Sequence, residues 1–189
     1  MTLLSNKRFA FDVESQREGD GVERGKKFML GSVTRAISVD VIPPSTTFKA
    51  CRIINFHFDS LWNTLSHRAK QMEILANLLH EPGCDGGLIA GDFNAIRPED
   101  HTLLEKNGLE DAWLAVHGRD GANGTTWGVG VQRKGGLGLG RLDKIAMLGL
   151  EAKEMEILRP GMIERPKPGE PSDHIPYSDH FGLRLGFTF

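Results

Sequence analysis

Leu65, Ala69, Met72, Leu75, Ala76 and Leu79 recur at the spacing of one helical face, which predicts a helix from Leu65 to His80. Thr64 or Ser66 is placed to cap its start and Pro82-Gly83 to end it. Elsewhere the period is two. Phe28 to Ile42 carries Val33, Ile37, Val39 and Val41 in partial alternation and stops at Pro43-Pro44, which reads as a strand. Cys51 to Phe58 reads as a second strand, antiparallel to the first across Pro43 to Lys49. Leu88 to Ala90 is a short, fully apolar run, the mark of a buried strand. Thr2 to Leu4, Phe9 to Phe11, Leu142 to Leu148, Met155 to Leu158 and Phe181 to Phe189 are also strand-like. Pro98-Glu99-Asp100 starts a short helix, with proline in the first turn and acids at the positive end, closed by Asn107-Gly108. Leu109 to His117 reads as another short helix. Ser15 to Lys27 and Gly118 to Gly140 lack apolar period and read as loops, and Arg159 to Pro176, with five prolines, as irregular. Strand-helix-strand units mixed with antiparallel pairs predict an α/β sandwich rather than a purely parallel sheet, with residues 1–189 forming a single domain.

Composition narrows the chemistry. A formal net charge of -2 removes the overall basic footprint that avid, non-specific nucleic-acid binding requires, while leaving room for a local basic patch. No apolar run is long enough to span a bilayer and Met1 opens no signal segment, so the expected setting is intracellular, cytoplasmic or nuclear, with no membrane partner. Cys51 and Cys84 have no metal-ligand spacing, consistent with a reducing compartment.

Against this background one stretch stands out. The run Leu88-Ile89-Ala90 ends in Gly91-Asp92-Phe93-Asn94. Side chains at alternate positions past a strand end share a face, so Asp92 and Asn94 can converge on one spot. A carboxylate beside a carboxamide suits a hard cation and a phosphate oxygen; equally, Gly-Asp-x-Asn can be an Asx turn closing the strand. Three further pieces lie beside predicted strand ends: His57, Arg141-Leu142-Asp143 and Ser178-Asp179-His180.

Taken as a set, His57-Phe58-Asp59-Ser60, Gly91-Asp92-Phe93-Asn94, Thr125-Thr126-Trp127, Arg141-Leu142-Asp143-Lys144-Ile145 and Ser178-Asp179-His180 resemble the endonuclease/exonuclease/phosphatase superfamily, the DNase I-like fold. The wording is closest to its tyrosyl-DNA phosphodiesterase 2-like branch. The resemblance implies a four-layer α/β sandwich of two sheets and Mg²⁺- or Mn²⁺-dependent hydrolysis of a phosphodiester, with 5′-phosphotyrosyl DNA ends among the substrates. It implies that Asp92 orients or deprotonates the attacking water and that Asn94 holds it or a phosphate oxygen. His180 would donate to the phosphate, with Asp143 on its far nitrogen, and His57 would touch the phosphate with Ser60 in support. Asp179, with Asp92, would meet the metal. Trp127 and Arg141 would bind substrate, Trp127 through its flat face. The other histidines, at 67, 80, 101, 117 and 174, lack metal spacing and read as surface residues.

The superfamily opens with a strand ending in a phosphate-binding Asn and a Gln-Glu segment that supplies the principal metal ligand. Neither occurs here, and Met1 to Ser5 resembles the strand that follows them. The expectation is therefore a domain lacking the first strands, with the metal held by fewer carboxylates and more water. An alternative is a catalytically impaired relative that binds phosphate or a partner.

Overall fold

The structure is a computed structural model, and it describes residues 10–11, 26–29, 35–42, 50–119, 123–130 and 138–189. Its centre is a mixed sheet built from β1 (Ala10–Phe11), β2 (Lys26–Met29), β3 (Arg35–Ile42), β4 (Cys51–His57), β5 (Gly86–Asp92), β6 (Glu110–Asp111) and β7 (Asp143–Leu148). The order runs β1-β3-β4-β5-β7-β6, with β2 also pairing β3. β3 and β4 are antiparallel, as the sequence predicts. β4 and β5 are parallel, because the helix α1 (Leu65–Leu79) carries the chain back across the sheet between them. β7 returns antiparallel to β5, placing Asp143 directly opposite Asp92.

Each sheet face has its own core. On one, α1 and α2 (Leu103–Lys106) bury Met72, Leu75, Leu79, Leu103 and Leu104 against Ile54, Phe56, Ile89 and Ala146. Phe56, Phe58 and Phe93 form an edge-packed aromatic cluster beneath the site, with ring centroids 4.2–5.4 Å apart. On the other face, α3 (Ala112–His117) and a second, two-stranded sheet pack against Ile53, Leu88, Ile145 and Met147. That second sheet pairs β8 (Glu151–Leu158) with β11 (Gly182–Thr188). The DNase I-like expectation of sheet packed on sheet is met, with α1 and α2 on the outer face of the central sheet.

Several elements differ from the periodicity. The run from Phe28 to Ile42 is two strands, β2 and β3, paired antiparallel with each other. Leu109 to His117 begins as the short strand β6 before α3 starts, because Asp111 caps α3 by accepting from the Trp113 and Leu114 amides. The proline-bearing stretch 159–176 is an antiparallel hairpin of β9 (Met162–Lys167) and β10 (Glu170–Pro176), with the register shifting between Glu170 and Asp173. Strands exposed on both sides carry little hydrophobic period, which hid this pair. Pro98 opens a 3₁₀ turn, Pro98–Thr102, that leads into α2. The strand expected at Thr2 to Leu4 lies outside the described residues.

Glycine permits the closeness of β4 and β5. A Cβ on Gly91 or Gly87 would overlap the carbonyl oxygen of Phe56 or Arg52 on the neighbouring strand. Gly91 is thus needed for strand contact rather than for approach to a ligand.

Candidate active site

β4, β5 and β7 finish or start at one edge of the sheet, and His57, Asp92 and Asp143 are their terminal residues. The register places His57 against Asp92 and Asp92 against Asp143. His180 arrives from the segment before β11 and is held by its backbone. Trp127 bridges both Gly140 and His180 in antiparallel fashion, and the Phe181 amide donates to the Thr126 carbonyl at 2.6 Å. Thr126 is fully buried, and its hydroxyl accepts from the Asp143 amide at 2.9 Å. One threonine therefore ties the His180 segment to the start of β7.

The side chains converge. His180 Nδ1 donates to Asp143 Oδ2 at 2.9 Å, and its Nε2 lies 4.0 Å from Asp92 Oδ2. His57 Nε2 lies 3.5 Å from the same Asp92 oxygen. The other Asp92 oxygen, Oδ1, accepts from the Asn94 amide at 2.8 Å. The Asx turn is thus real, and it also aims Oδ2 at the two imidazoles. The His180–Asp143 bond lifts the imidazole pKa above its ordinary value, and the charges of Asp143, Asp92 and Asp179 add to this. Burial, with the facing Asp143 charge, holds the Asp92 carboxyl above the ordinary carboxylate range, against the pull of the Asn94 amide and both histidines.

Four predicted residues are thereby brought together: Asp92, Asp143, His57 and His180. The others are placed differently. Asn94 is buried with φ 45°, and its amide donates to the Phe58 carbonyl at 2.9 Å, so it locks the end of β4 to the turn after β5. Asp179 is exposed and accepts from the Trp127 indole at 3.0 Å. Arg141 grips Asp111 with both guanidinium arms at 2.8 Å, which fixes α3 against the sheet. Ser60 is exposed, and it is its carbonyl that is bonded, to the Thr64 hydroxyl.

For a metal, the donor set is Asp92, Asp143 and His180, each offering one atom within 4.8 Å of the others. Two carboxylates facing one another across a ladder, one of them reluctant to ionise, fit a divalent cation that would neutralise both. This differs from the pairing of Asp92 with Asp179 that the resemblance implies.

A buried cationic group was not foreseen. Lys144 is 1% exposed, on the face of β7 opposite Asp143. Its Nζ lies 3.0 Å from His101 Nδ1 and 3.7 Å from Asp111 Oδ2. Burial, and then the neighbouring Arg141, push its pKa down to about 8. The sequence signal was present: a lysine inside the apolar run Leu142-Asp143-Lys144-Ile145-Ala146-Met147, at a position whose neighbours two along are buried.

No family model matches the sequence and no curated protein matches it. Solved structures do match. A mannosyl-6-phosphatase from Bacteroides thetaiotaomicron superposes with a TM-score of 0.64 at 15% identity, over 97% of this chain and 68% of that one. An endonuclease/exonuclease/phosphatase family protein from the same species gives 0.66 at 16%, over 96% and 66%. D. rerio TDP2, complexed with a single-strand DNA product, gives 0.66 at 15%, over 97% and 70%.

This chain has the endonuclease/exonuclease/phosphatase fold.

It spans about two thirds of the length of these three structures. In the endonuclease/exonuclease/phosphatase fold as this chain builds it, the cluster of two aspartates and two histidines lies at one edge of the central sheet, where three strands end. No described helix is long and apolar enough to cross a membrane.

Proposed function

We propose that this chain hydrolyses phosphoesters, and phosphodiesters in particular, at the Asp92–Asp143–His57–His180 cluster. The observation that carries the reading is the polarised histidine: Asp143 fixes Nδ1 as the protonated nitrogen and favours the imidazolium, in which Nε2 carries a proton as well. The 4.0 Å between His180 Nε2 and Asp92 Oδ2 is a gap that one oxygen, of a water or of a phosphate, can bridge.

In this reading Asp92 Oδ2 orients the attacking water and accepts its proton. His180 Nε2–H donates to a non-bridging phosphate oxygen and stabilises the charge that gathers there in the transition state. His57 Nε2 provides a second polar contact from the β4 side. Asp143 is a positioning residue: it sets the tautomer and orientation of His180. A Mg²⁺ or Mn²⁺ held by Asp92 and Asp143 supplies Lewis-acid stabilisation of the phosphate charge when bound. The substrate we favour is a nucleic-acid end, including a 5′-phosphotyrosyl end, on the strength of the sequence resemblance and of the similarity to a TDP2 solved with a DNA product.

The test is hydrolysis of a 5′-phosphotyrosyl oligonucleotide by the purified chain with and without Mg²⁺ or Mn²⁺, beside Asp92→Ala. Metal-dependent cleavage lost in the variant supports the reading. Absence of cleavage, together with retained binding of the product's 5′-phosphate, supports a non-catalytic phosphate-binding role instead.

A further inference from the structure

Beside the cluster lies a cavity of about 200 Å³ lined by Ile96, His101, Trp127, Leu139, Arg141 and Leu142, among others. It is continuous in sequence with the site on three sides. Ile96 lies two residues past Asn94, Leu142 immediately precedes Asp143, and Trp127 is bridged to His180. Its walls are an indole and aliphatic side chains. Arg141, though a lining residue, has both guanidinium arms on Asp111. His101 is the other polar side chain of the lining.

His101 has a fixed tautomer. Its Nδ1 faces Lys144 Nζ at 3.0 Å, and an ammonium has only protons to give. Nδ1 is therefore the acceptor and Nε2 carries the single ring proton. The residue is exposed overall and lines the cavity. The groups that act on the ring are Lys144, Arg141, Asp100 and Asp111. Burial of the ring, then the two cations, outweigh the two carboxylates, and its pKa is pushed down to about 4. His180 and His101 thus flank one site with opposite shifts, one raised by its carboxylate partner and the other lowered.

We infer that His101 is a specificity residue: its Nε2–H is a neutral hydrogen-bond donor in a ring-sized cavity that receives a planar substituent of the phosphoester bearing an oxygen acceptor, such as a pyrimidine base. Size supports this, since a cavity of about 150 Å³ holds a benzene ring. The chemistry agrees: a flat aromatic wall for the ring face and one donor for its edge. A neutral donor favours an uncharged carbonyl over a second phosphate, which a histidinium would select. The inference rests on the phosphoester reading of the neighbouring cluster.

Two measurements test it. The first follows the imidazole ring signals of the labelled chain by NMR from pH 5.5 to 7, where Lys144, with its pKa of about 8, keeps its ammonium. His101 is expected to remain the Nε2–H tautomer throughout; titration of His101 in that range, or an Nδ1–H signature, overturns the inference. The second compares binding of uridine 5′-monophosphate and ribose 5-phosphate by calorimetry. Wild type is expected to prefer the nucleotide. His101→Phe should weaken the nucleotide about five- to ten-fold, the size of one neutral hydrogen bond, and leave the sugar phosphate unchanged. His101→Gln, which keeps a donor, should restore most of the loss. Equal binding of both ligands by all three proteins, or no binding of either, overturns it. If His101-dependent nucleotide binding is seen without turnover of any phosphoester, the subsite stands and the hydrolytic reading of the cluster fails.

Discussion

Asp92 and His180 make opposite demands on protons. Catalysis as proposed needs the first ionised and the second protonated, so kcat/KM should be bell-shaped in pH. The acid limb is expected above the ordinary carboxylate value of 3.8 and the alkaline limb above the ordinary histidine value of 6.5, because both groups are shifted upward. As apparent values these belong to the coupled cluster. Asp143→Asn removes the carboxylate charge that raises His180, so the alkaline limb should move to lower pH and the rate at pH 8 should fall about 10²-fold or more. A pH–rate profile of the variant checks this. At the same scale, the reactive residues were legible because each motif ends a strand, and strand ends were predictable from apolar runs. Asn94 was placed at the site by strand alternation as well as by resemblance, Arg141 and Asp179 by resemblance; in the structure Asn94 Nδ2 donates to Phe58, Asp179 Oδ2 accepts from Trp127 and Arg141 pairs with Asp111. Which partner a polar side chain takes depends on tertiary neighbours such as Asp111 and Phe58, which lie 30 and 36 residues away in sequence.

Two elements hold the site's frame. Arg68, on α1, is fully buried and pairs with Asp100 through both arms at 2.8 Å; it also donates to the Leu61 carbonyl. One guanidinium thus joins the turn after β4 to the turn after β5. Thr64, expected to cap α1, instead donates to the carbonyls of this turn and accepts from Arg68. Asp100→Ala should cost about 3–5 kcal/mol by stranding a buried cation. An Arg68→Met/Asp100→Leu double variant should cost less than the two single changes added together. Urea denaturation measures both. Gly91→Ala should cost about 1–3 kcal/mol, since the new methyl meets the backbone of β4 rather than a yielding side chain. Among elements, α1 was predicted to within a residue, because its apolar stripe recurs over four turns. The β9–β10 hairpin was not, because its residues are mostly exposed and its prolines argued against strands.

For the whole molecule, the site is a strained electrostatic arrangement within a stable sheet. His180 has a raised pKa in the folded state, so its contribution is fully present below the unfolded value of 6.5 and is lost as pH rises through the folded value. Asp92 is also raised, so the folded state binds its proton more tightly than the unfolded chain does, and stability falls as pH climbs from 3.8 through the folded value. Both slopes have the same sign. Asp92→Asn should therefore be inactive yet more stable than wild type near pH 7, with a higher urea midpoint; equal or lower stability would contradict the penalty that burial, and then the facing Asp143, place on the Asp92 carboxylate. Fold class was legible from the mixture of one long helix with alternating strands. The division of the core between two sheet faces was not, since it depends on β7 pairing with β5 across the 51 residues that separate Asp92 from Asp143.

That pairing has a kinetic consequence. The ladder cannot close without bringing two carboxylates face to face, and the register leaves no other placement for them. Docking of β7 is a long-range step, slow because the intervening chain must be gathered first. At neutral pH it must also overcome like-charge repulsion; a proton on Asp92, or a divalent cation between the pair, relieves it. Refolding from urea should accordingly run faster in mild acid, or with added Mn²⁺, than in metal-free neutral buffer, and Asp92→Asn should abolish that difference.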